Sequence, residues 1–254
     1  MKILKTKNDL SSIDRGKSLG FVATMGALHE GHGSLIRKSN EQNQSTAVSV
    51  FVNPTQFNNP KDFESYPNVI ERDFDFCEKL GVDYVFTPSV DEMYTDSESI
   101  ELIENEITKK YEGEHRPGHF SGVLTVVLKL INLIKPQRAY FGEKDYQQYL
   151  LIKRMAENFF LEAKIVGVET VRDAFGLAQS SRNLNLTPSG KVRAQKIAGL
   201  FLNASSKERF VEHIKESSLE LELEYYGEDW GRALMAHYVD GVRLIDNKAL
   251  EVSK

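Results

Sequence analysis

Two histidines, His29 and His32, are the first residues in the sequence whose types and spacing suggest chemistry. They lie in the segment MGALHEGHG at 25–33, between an apolar run and a helix-like pattern. A turn from a strand into a helix presents backbone N–H groups that bind anions, and imidazoles add further donors. The zinc motif HExxH needs histidines four residues apart on a helix. The three-residue spacing, together with Gly31 and Gly33, therefore favours an anion site over zinc.

Four further polar segments follow predicted strands or precede predicted helices. They are FVNPTQF at 51–57, HRPGHF at 115–120, FGEKDYQQ at 141–148 and GLAQSSRN at 176–183. Lys144 adds a mobile positive charge, although its segment lacks the GxxxxGK[ST] pattern of a Walker A loop. Arg182 can bind phosphate in a bidentate manner, and adjacent serine hydroxyls add short hydrogen bonds. Each segment alone also fits an ordinary turn or helix start, but together they favour phosphoryl or nucleotidyl transfer.

Short apolar strands alternate with helical patterns over the first two thirds of the chain. The predicted strands are Leu19–Met25, Ala47–Val52, Val82–Thr87, Arg138–Phe141 and Lys164–Val168, and the predicted helices are Ser34–Asn43, Val69–Leu80, Ser121–Ile134 and Asp145–Phe160. Such alternation predicts an α/β fold in which a Rossmann-like parallel sheet carries helices on both faces. Ligands of such sheets bind at the carboxyl ends of the strands, where the polar segments lie.

The pattern changes after about residue 171, where we place a domain boundary. Thr187 is a plausible N-cap for a helix over Pro188–Asn203, and the alternation at 219–226 predicts an edge strand. Residues 207–229 carry three basic and eight acidic side chains, a difference of −5. We therefore expect a catalytic domain at 1–171 and a smaller α+β domain at 172–254.

Composition excludes several classes of protein. Of 254 residues, 32 are Lys or Arg and 37 are Asp or Glu, and the formal net charge of −5 argues against nucleic-acid and membrane-surface partners. The single cysteine, Cys77, excludes an intramolecular disulfide and any multi-cysteine metal site. The sequence contains no pattern typical of a signal peptide or membrane span, so we expect a cytoplasmic protein.

Several motifs resemble the pantothenate synthetase (pantoate–β-alanine ligase) family of HIGH-type nucleotidyltransferases. They are MGALHEGH at 25–32, FVNPTQF at 51–57, RPGHFSGVLTVVLKLINLIKP at 116–136, YFGEKDYQQ at 140–148 and SSRN at 180–183. The resemblance implies a homodimer in which the C-terminal domain is a lid. It also implies a reaction that uses ATP and Mg²⁺: pantoate attacks the α-phosphorus to give pantoyl adenylate and pyrophosphate. The amine of β-alanine then displaces AMP.

The resemblance also implies roles for individual residues. The catalytic set is His32, His29, Lys144, Arg182, Ser180 and Ser181. The ATP-binding set is Met25, Gly26, Ala27, Leu28, His29, Glu30, Gly31, His32, Gly142, Glu143, Lys144, Asp145, Val171, Gln179, Ser180, Ser181 and Arg182. The substrate-binding set is Gln56, Gln148, Asn53 and Arg116, whereas the Mg²⁺ ligands are not indicated.

Two alternative functions stay open at this point. A related adenylyltransferase that makes a nucleotide cofactor would use the same histidine turn, although Gln56 and Gln148 fit a small hydroxy acid better. A non-catalytic nucleotide-binding module is the other alternative, because the chain departs from the family pattern at Gln179 and Phe175, near the expected triphosphate loop. A further departure, Gly33 in place of leucine, is expected to weaken the first turn of the following helix.

Overall fold

The computed structural model describes residues 1–58, 63–64, 66–67, 69–94 and 100–250. The chain divides into two compact units: unit 1 comprises Met1–Glu143 and Gln147–Val168, and unit 2 comprises Lys144–Tyr146 and Glu169–Lys254. The last junction between the units, between residues 168 and 169, lies three residues before the predicted boundary. Lys144–Tyr146, which we predicted in the first domain, groups instead with unit 2.

Unit 1 is built on a six-stranded parallel sheet with the order β1-β4-β3-β2-β5-β6. Its strands are β1 (Lys2–Leu4), β2 (Leu19–Thr24), β3 (Ser45–Val50), β4 (Tyr84–Phe86), β5 (Arg138–Gly142) and β6 (Lys164–Val168). The five predicted strands are all present, with ends shifted by at most two residues. The chain leaves β2 towards β3 and returns on the other side as β5, so the topological switch point, the usual ligand position, lies between β2 and β5.

Helices cover both faces of this sheet, as the alternation predicts. They are α1 (Glu30–Gln42), α2 (Ile70–Lys79), α3 (Val90–Met93), α4 (Glu112–His115), α5 (His119–Ile134) and α6 (Tyr146–Asn158). Successive residues of β2 point to opposite faces: Phe21 packs in the core on the α5 side, and Val22 packs with Ile36 of α1 and Cys77 of α2. The fold prediction for this unit is confirmed.

The predicted start of α1 at Ser34 is wrong, because the helix begins four residues earlier, at Glu30. His29 acts as the N-cap: its Nδ1 atom accepts a hydrogen bond from the N–H group of Gly31 at 3.1 Å. The N–H group of His29 in turn donates to Nδ1 of His32 at 3.3 Å. This reciprocal capping satisfies two N–H groups that a helix start leaves open, and it offsets the glycines of the first turn.

Unit 2 packs two helices against a three-stranded antiparallel sheet, β7-β8-β9. Its elements are α7 (Pro188–Asn203), α8 (Lys207–Glu216), β7 (Glu222–Asp229), β8 (Arg232–Val239) and β9 (Val242–Ala249). The bounds of α7 match the prediction, and Thr187 caps it by accepting a hydrogen bond from the N–H group of Gly190 at 2.9 Å. The predicted edge strand begins later, at Glu222, and α8 was not predicted. Within the described residues, no helix is long and apolar enough to span a membrane.

Candidate active site

The histidine loop joins the carboxyl end of β2 to α1. Both Nδ1 atoms, of His29 and of His32, accept backbone N–H groups, so in the neutral imidazoles the proton resides on Nε2. The two ring centroids lie 4.2 Å apart. The cap therefore presents two adjacent Nε2–H donors at the N-terminus of α1, where the helix dipole also favours a negative charge.

The N–H groups of Ala27 and Leu28, two residues of the expected ATP-binding set, are already in use. Both donate to the carboxylate of Asp73 on α2, at 2.9 and 2.8 Å. The anion-binding capacity of the loop therefore lies with its histidines and the start of the helix rather than with these two N–H groups. Sequence reasoning did not single out Asp73, because nothing near it in the chain resembles a motif.

Gln56 ends a short 3₁₀ turn, Pro54–Gln56, that follows β3. Its Nε2 atom donates to the sulfur of Met25 at 2.8 Å, and its Oε1 atom accepts from Nδ2 of Asn53 at 3.0 Å. Asn53 is only 1% exposed, and its Oδ1 atom accepts from the hydroxyl of Tyr94 at 2.6 Å. Asn53 therefore orients Gln56, whose amide lies against the first residue of the histidine loop.

A second chain of hydrogen bonds holds the backbone of the same turn. The Nδ1 atom of His119 lies 2.8 Å from the carbonyl oxygen of Gln56, and its Nε2 atom lies 3.0 Å from the guanidinium of Arg116. A carbonyl only accepts, so Nδ1 carries the proton and Nε2 accepts from Arg116. Arg116 also lies 3.7 Å from the carboxylate of Glu112. The predicted substrate residue Arg116 is thus connected to Gln56 through His119, which sequence reasoning noted but did not assign.

Gly122 of α5 allows this turn to lie close to the helix. A Cβ atom added to Gly122 would be 2.5 Å from the carbonyl oxygen of Thr55 and 2.7 Å from the N atom of Gln56. Any larger residue would push the turn away. The sequence alone does not indicate that glycine is required at position 122, because the requirement comes from the contact between the helix and the turn in the folded chain.

Two consecutive glutamines on α6 differ in what they do. Gln147 is buried, accepts the N–H group of Glu112 and donates to two carbonyl groups, those of Ile107 and Lys110. The side chain of Gln148 is half-buried and has no hydrogen bond to the described residues. Gln147 is therefore structural, whereas Gln148, the glutamine that the resemblance assigns to the substrate, takes no part in this network among the described residues.

The segment after β5 combines open space with a positive charge. A Cβ atom added to Gly142 would meet nothing within 4 Å. The side chain of Lys144 is 18% exposed, and its Nζ atom lies 3.5 Å from Oδ1 of Asp145. The carbonyl oxygen of Lys144 accepts a hydrogen bond from Nδ2 of Asn247 at 2.8 Å, which ties this residue to β9.

Lys144 lines a pocket of unit 2 together with Ser180 and Arg182. Ser180 caps the 3₁₀ helix Ser181–Asn185, with its Oγ atom accepting from the N–H group of Arg182. The guanidinium of Arg182 is exposed and has no ion pair with the described residues. The structure thus groups three of the residues that we predicted to contact a triphosphate.

The loop that carries Ser180 begins with a turn that is held by an ion pair and by hydrogen bonds. The guanidinium of Arg172 forms a bidentate ion pair with the buried carboxylate of Asp246, at 2.7 and 2.8 Å. Burial alone would raise the pKa of Asp173, but hydrogen bonds from Gln195 and from backbone N–H groups outweigh it and hold the pKa below its usual value. Gln179 donates its N–H group to the carbonyl of Val171 at 2.9 Å. Its position in the loop is therefore held through the backbone.

The predicted site residues fall into two groups. Met25–His32, Asn53, Gln56 and Arg116 lie within unit 1, at the carboxyl ends of β2 and β3 and at the start of α5. Lys144, Ser180 and Arg182 lie within unit 2. Among the described residues, no group of three or more His, Cys, Asp or Glu side chains is arranged to hold a metal ion.

Comparison with known proteins shows the family of this chain. The family model described as pantoate-beta-alanine ligase matches residues 2–249. A pantothenate synthetase of Legionella pneumophila (strain Corby) is 46% identical over 233 residues, which cover 92% of each chain.

Two solved structures are similar over nearly the whole chain. The crystal structure of pantothenate synthetase from Thermus thermophilus has a TM-score of 0.91 and 37% identity, and the match covers 98% of this chain and 99% of that one. The Francisella tularensis pantoate-beta-alanine ligase, solved with beta-gamma ATP and beta-alanine, has a TM-score of 0.90 and 41% identity. That match covers 98% of this chain and 97% of the other.

Proposed function

The chain belongs to the pantoate-beta-alanine ligase family, and we propose that it joins (R)-pantoate to β-alanine through a pantoyl adenylate. It is an enzyme of the ligase class, and the condensation depends on ATP. A carboxylate oxygen of pantoate attacks the α-phosphorus, and pyrophosphate leaves. The uncharged amine of β-alanine then attacks the acyl carbon, loses a proton and displaces AMP. No protein nucleophile is needed, so the residues act by positioning substrates and stabilising charge.

In the first step, negative charge builds on the α-phosphate oxygens and on the departing pyrophosphate. We assign the stabilisation of part of this charge to the Nε2–H groups of His32 and His29 at the start of α1, because donors that are already in place lower the barrier to such a reaction. The other loop residues, Met25–Leu28, Glu30 and Gly31, supply the walls of the ATP site. Lys144 neutralises phosphate charge, and Ser180, Ser181 and Arg182 bind the triphosphate, with Gln179 beside them.

Pantoate is assigned to the amides of Gln56 and Gln148. In the structure Gln56 donates to a thioether, a weak acceptor, so a substrate oxygen can replace Met25 as its partner at little loss. Asn53 and Arg116 belong to the same site and hold Gln56 through the contacts described above. Gly142, Glu143 and Asp145 border the nucleotide, and Val171 contributes backbone contacts to adenine.

Mg²⁺ and the assembly complete the proposal. Mg²⁺ bound to the triphosphate would neutralise phosphate charge, and the proposal names no side-chain ligand for it. The division into a catalytic domain at 1–171 and a lid domain at 172–254 is retained, and the enzyme is proposed to be a cytoplasmic homodimer. A sedimentation experiment that gives only the mass of a 28.8 kDa monomer at micromolar concentration would contradict the dimer.

The observation that carries the proposal is the contact between Gln56 and Met25. It brings an amide suited to a small hydroxy acid against the histidine loop within one unit. The decisive experiment is exchange of radiolabelled pyrophosphate into ATP, which measures reversal of adenylate formation. We expect exchange that requires pantoate and does not require β-alanine.

The same assay separates the alternatives. Exchange that is absent with pantoate but present with a nucleotide precursor as acceptor would identify a cofactor-making adenylyltransferase. ATP binding with no exchange for any acceptor would identify a non-catalytic module. Either result would contradict the proposed function.

A further inference from the structure

Asp73 is a buried carboxylate whose two oxygens bind the backbone of the histidine loop. It lies in the first turns of α2 and is only 2% exposed. One carboxylate oxygen accepts the N–H group of Ala27 at 2.9 Å, and the other accepts the N–H group of Leu28 at 2.8 Å. Both oxygens are therefore directed at two consecutive peptide groups of the loop.

The loop needs such support because its backbone is unusual. Gly26 has a φ angle of +88°, and Ala27 has a φ angle of +50°, in the left-handed region that residues with a Cβ atom rarely adopt. A residue in this region persists only when its surroundings hold it there. Immediately after these residues, His29 begins the reciprocal cap with His32.

We propose that Asp73 is a positioning residue for adenylate formation: its carboxylate fixes the backbone at 26–28 and thereby places the Nε2 donors of His29 and His32. The role of those donors in catalysis rests on the proposed function. That Asp73 fixes the backbone of the loop follows from the geometry alone. Asp73 itself touches no reacting atom.

The energetics of the position fit a role beyond stability. Burial raises the pKa of Asp73, although the N–H groups of Leu28 and Ala27 and the charge of Arg72 partly oppose this. Because the net direction is upward, the folded protein disfavours the ionised carboxylate relative to the unfolded chain. If this buried position served stability alone, an uncharged side chain would suit it better. The ionised carboxylate of Asp73 is, however, the form whose two oxygens both accept from the N–H groups of the loop.

Asp73→Asn tests the inference, with Asp75→Asn, exposed on the same helix, as the matched control. Asparagine keeps the size of the side chain but turns an NH₂ group towards one of the two N–H groups. We expect kcat for pantoate-dependent exchange to fall by about 100-fold, as for small displacements of catalytic groups. The KM for ATP should change much less than kcat, and the control should match the wild type.

Hydrogen–deuterium exchange at the amides of Ala27 and Leu28 gives a second readout that general destabilisation would not reproduce. We expect protection to fall by about 10-fold or more at the amide that faces the new NH₂ group, because its acceptor is lost, while the amides of β3 keep their protection. Asp73→Ser, which carries one small acceptor and no amide group, should show the same two effects if the asparagine variant fails to fold.

Wild-type kcat in either variant, or unchanged protection at Ala27 and Leu28, would overturn the inference. Failure of the proposed function gives a different result. In that case the wild type itself shows no pantoate-dependent exchange, whereas the protection measurement still reports whether Asp73 holds the loop.

Discussion

At the scale of single residues, His32 and Lys144 are assigned to stabilise the negative charge that develops on the phosphates during adenylate formation. The first is an Nε2 donor at a helix N-terminus, and the second is a half-buried ammonium group. His32→Ala and Lys144→Ala should each lower the rate of pantoate-dependent pyrophosphate exchange by about 100-fold or more, as loss of an oxyanion donor does. Lys153→Ala, at an exposed lysine of α6, is the control for Lys144→Ala. Near-normal rates in both active-site variants would contradict the assigned roles.

His237 offers a prediction about stability in acid. Its side chain is 2% exposed on β8, and neither ring nitrogen has a hydrogen-bond partner among the described residues. Burial lowers its pKa to about 4, whereas histidine in an unfolded chain titrates near 6.5. Because the folded-state pKa is depressed, the stability present above pH 6.5 is lost as the pH falls towards 4. Between pH 7.5 and pH 5, the titration of this group should lower the free energy of unfolding by about 2 kcal/mol.

His237→Leu should therefore unfold less readily in acid than the wild type. The variant also removes two buried polar atoms without partners, so it should be at least as stable at pH 7.5. The single tryptophan, Trp230, lies in unit 2, and its fluorescence in urea at the two pH values follows that unit. An equal loss of stability in the wild type and in His237→Leu would contradict the prediction.

The residues that sequence reasoning found and those it missed differ in how they act. Lys144, Gln56 and the two histidines were found because they belong to compact motifs whose side-chain chemistry suits a ligand. Asp73 and His119 act through the backbone of other segments, so their roles depend on distances between residues far apart in the chain. A motif contains only residues that are close together in the sequence, whereas these contacts join residues that only folding brings together.

At the scale of elements, most apolar patterns were predicted well, whereas the strand β1 and the start of α1 were missed. Strands β2 to β6 were expected from their apolar runs, which in β2, β3 and β4 are buried on both faces of the parallel sheet. The three-residue strand β1 has a single buried side chain and gives no such pattern. The early start of α1 was missed because an imidazole, rather than a common capping residue, satisfies its first N–H groups.

Gly33 gives an element-scale prediction about α1. A Cβ atom added there would lie 3.2 Å from the ring of Phe76 and 3.3 Å from the guanidinium of Arg37, both of which are ends of side chains that can shift. Gly33→Ala should therefore raise the free energy of unfolding by up to about 1 kcal/mol, because glycine is a poor helix former.

Gly122→Ala is the contrasting control in α5. Its added methyl group would lie 2.5 Å from the carbonyl oxygen of Thr55, which is backbone and does not yield as a side chain does. We expect this variant to be less stable than the wild type in urea denaturation followed by circular dichroism. A Gly33→Ala variant as destabilised as Gly122→Ala would show that the neighbours of Gly33 do not move aside.

At the scale of the whole molecule, the net charge of −5 proves to be a local property. Residues 207–229 contribute a difference of −5, and they form α8 and β7 of unit 2. The remaining 231 residues are formally neutral. The overall sign, which we took as an argument against polyanion partners, therefore carries no information about a small phosphate site.

The separate cores of the two units predict that they unfold in separate steps. Buried clusters on both sides of the parallel sheet lie in unit 1, and a third cluster between α7, α8 and the small sheet lies in unit 2. Each unit contains one natural probe: Cys77, which is fully buried, is the only cysteine, and Trp230 is the only tryptophan.

These probes allow a test without any substitution. Burial raises the pKa of Cys77 to about 12, with a further contribution from the charge of Asp73, so the thiolate is scarce in the folded unit. A disulfide reagent should therefore react only after unit 1 opens, because the thiolate is the reactive form. In increasing urea, thiol reactivity and Trp230 fluorescence should give different midpoints. Coincident midpoints would instead indicate one cooperative transition, and would contradict the division into two independently stable domains.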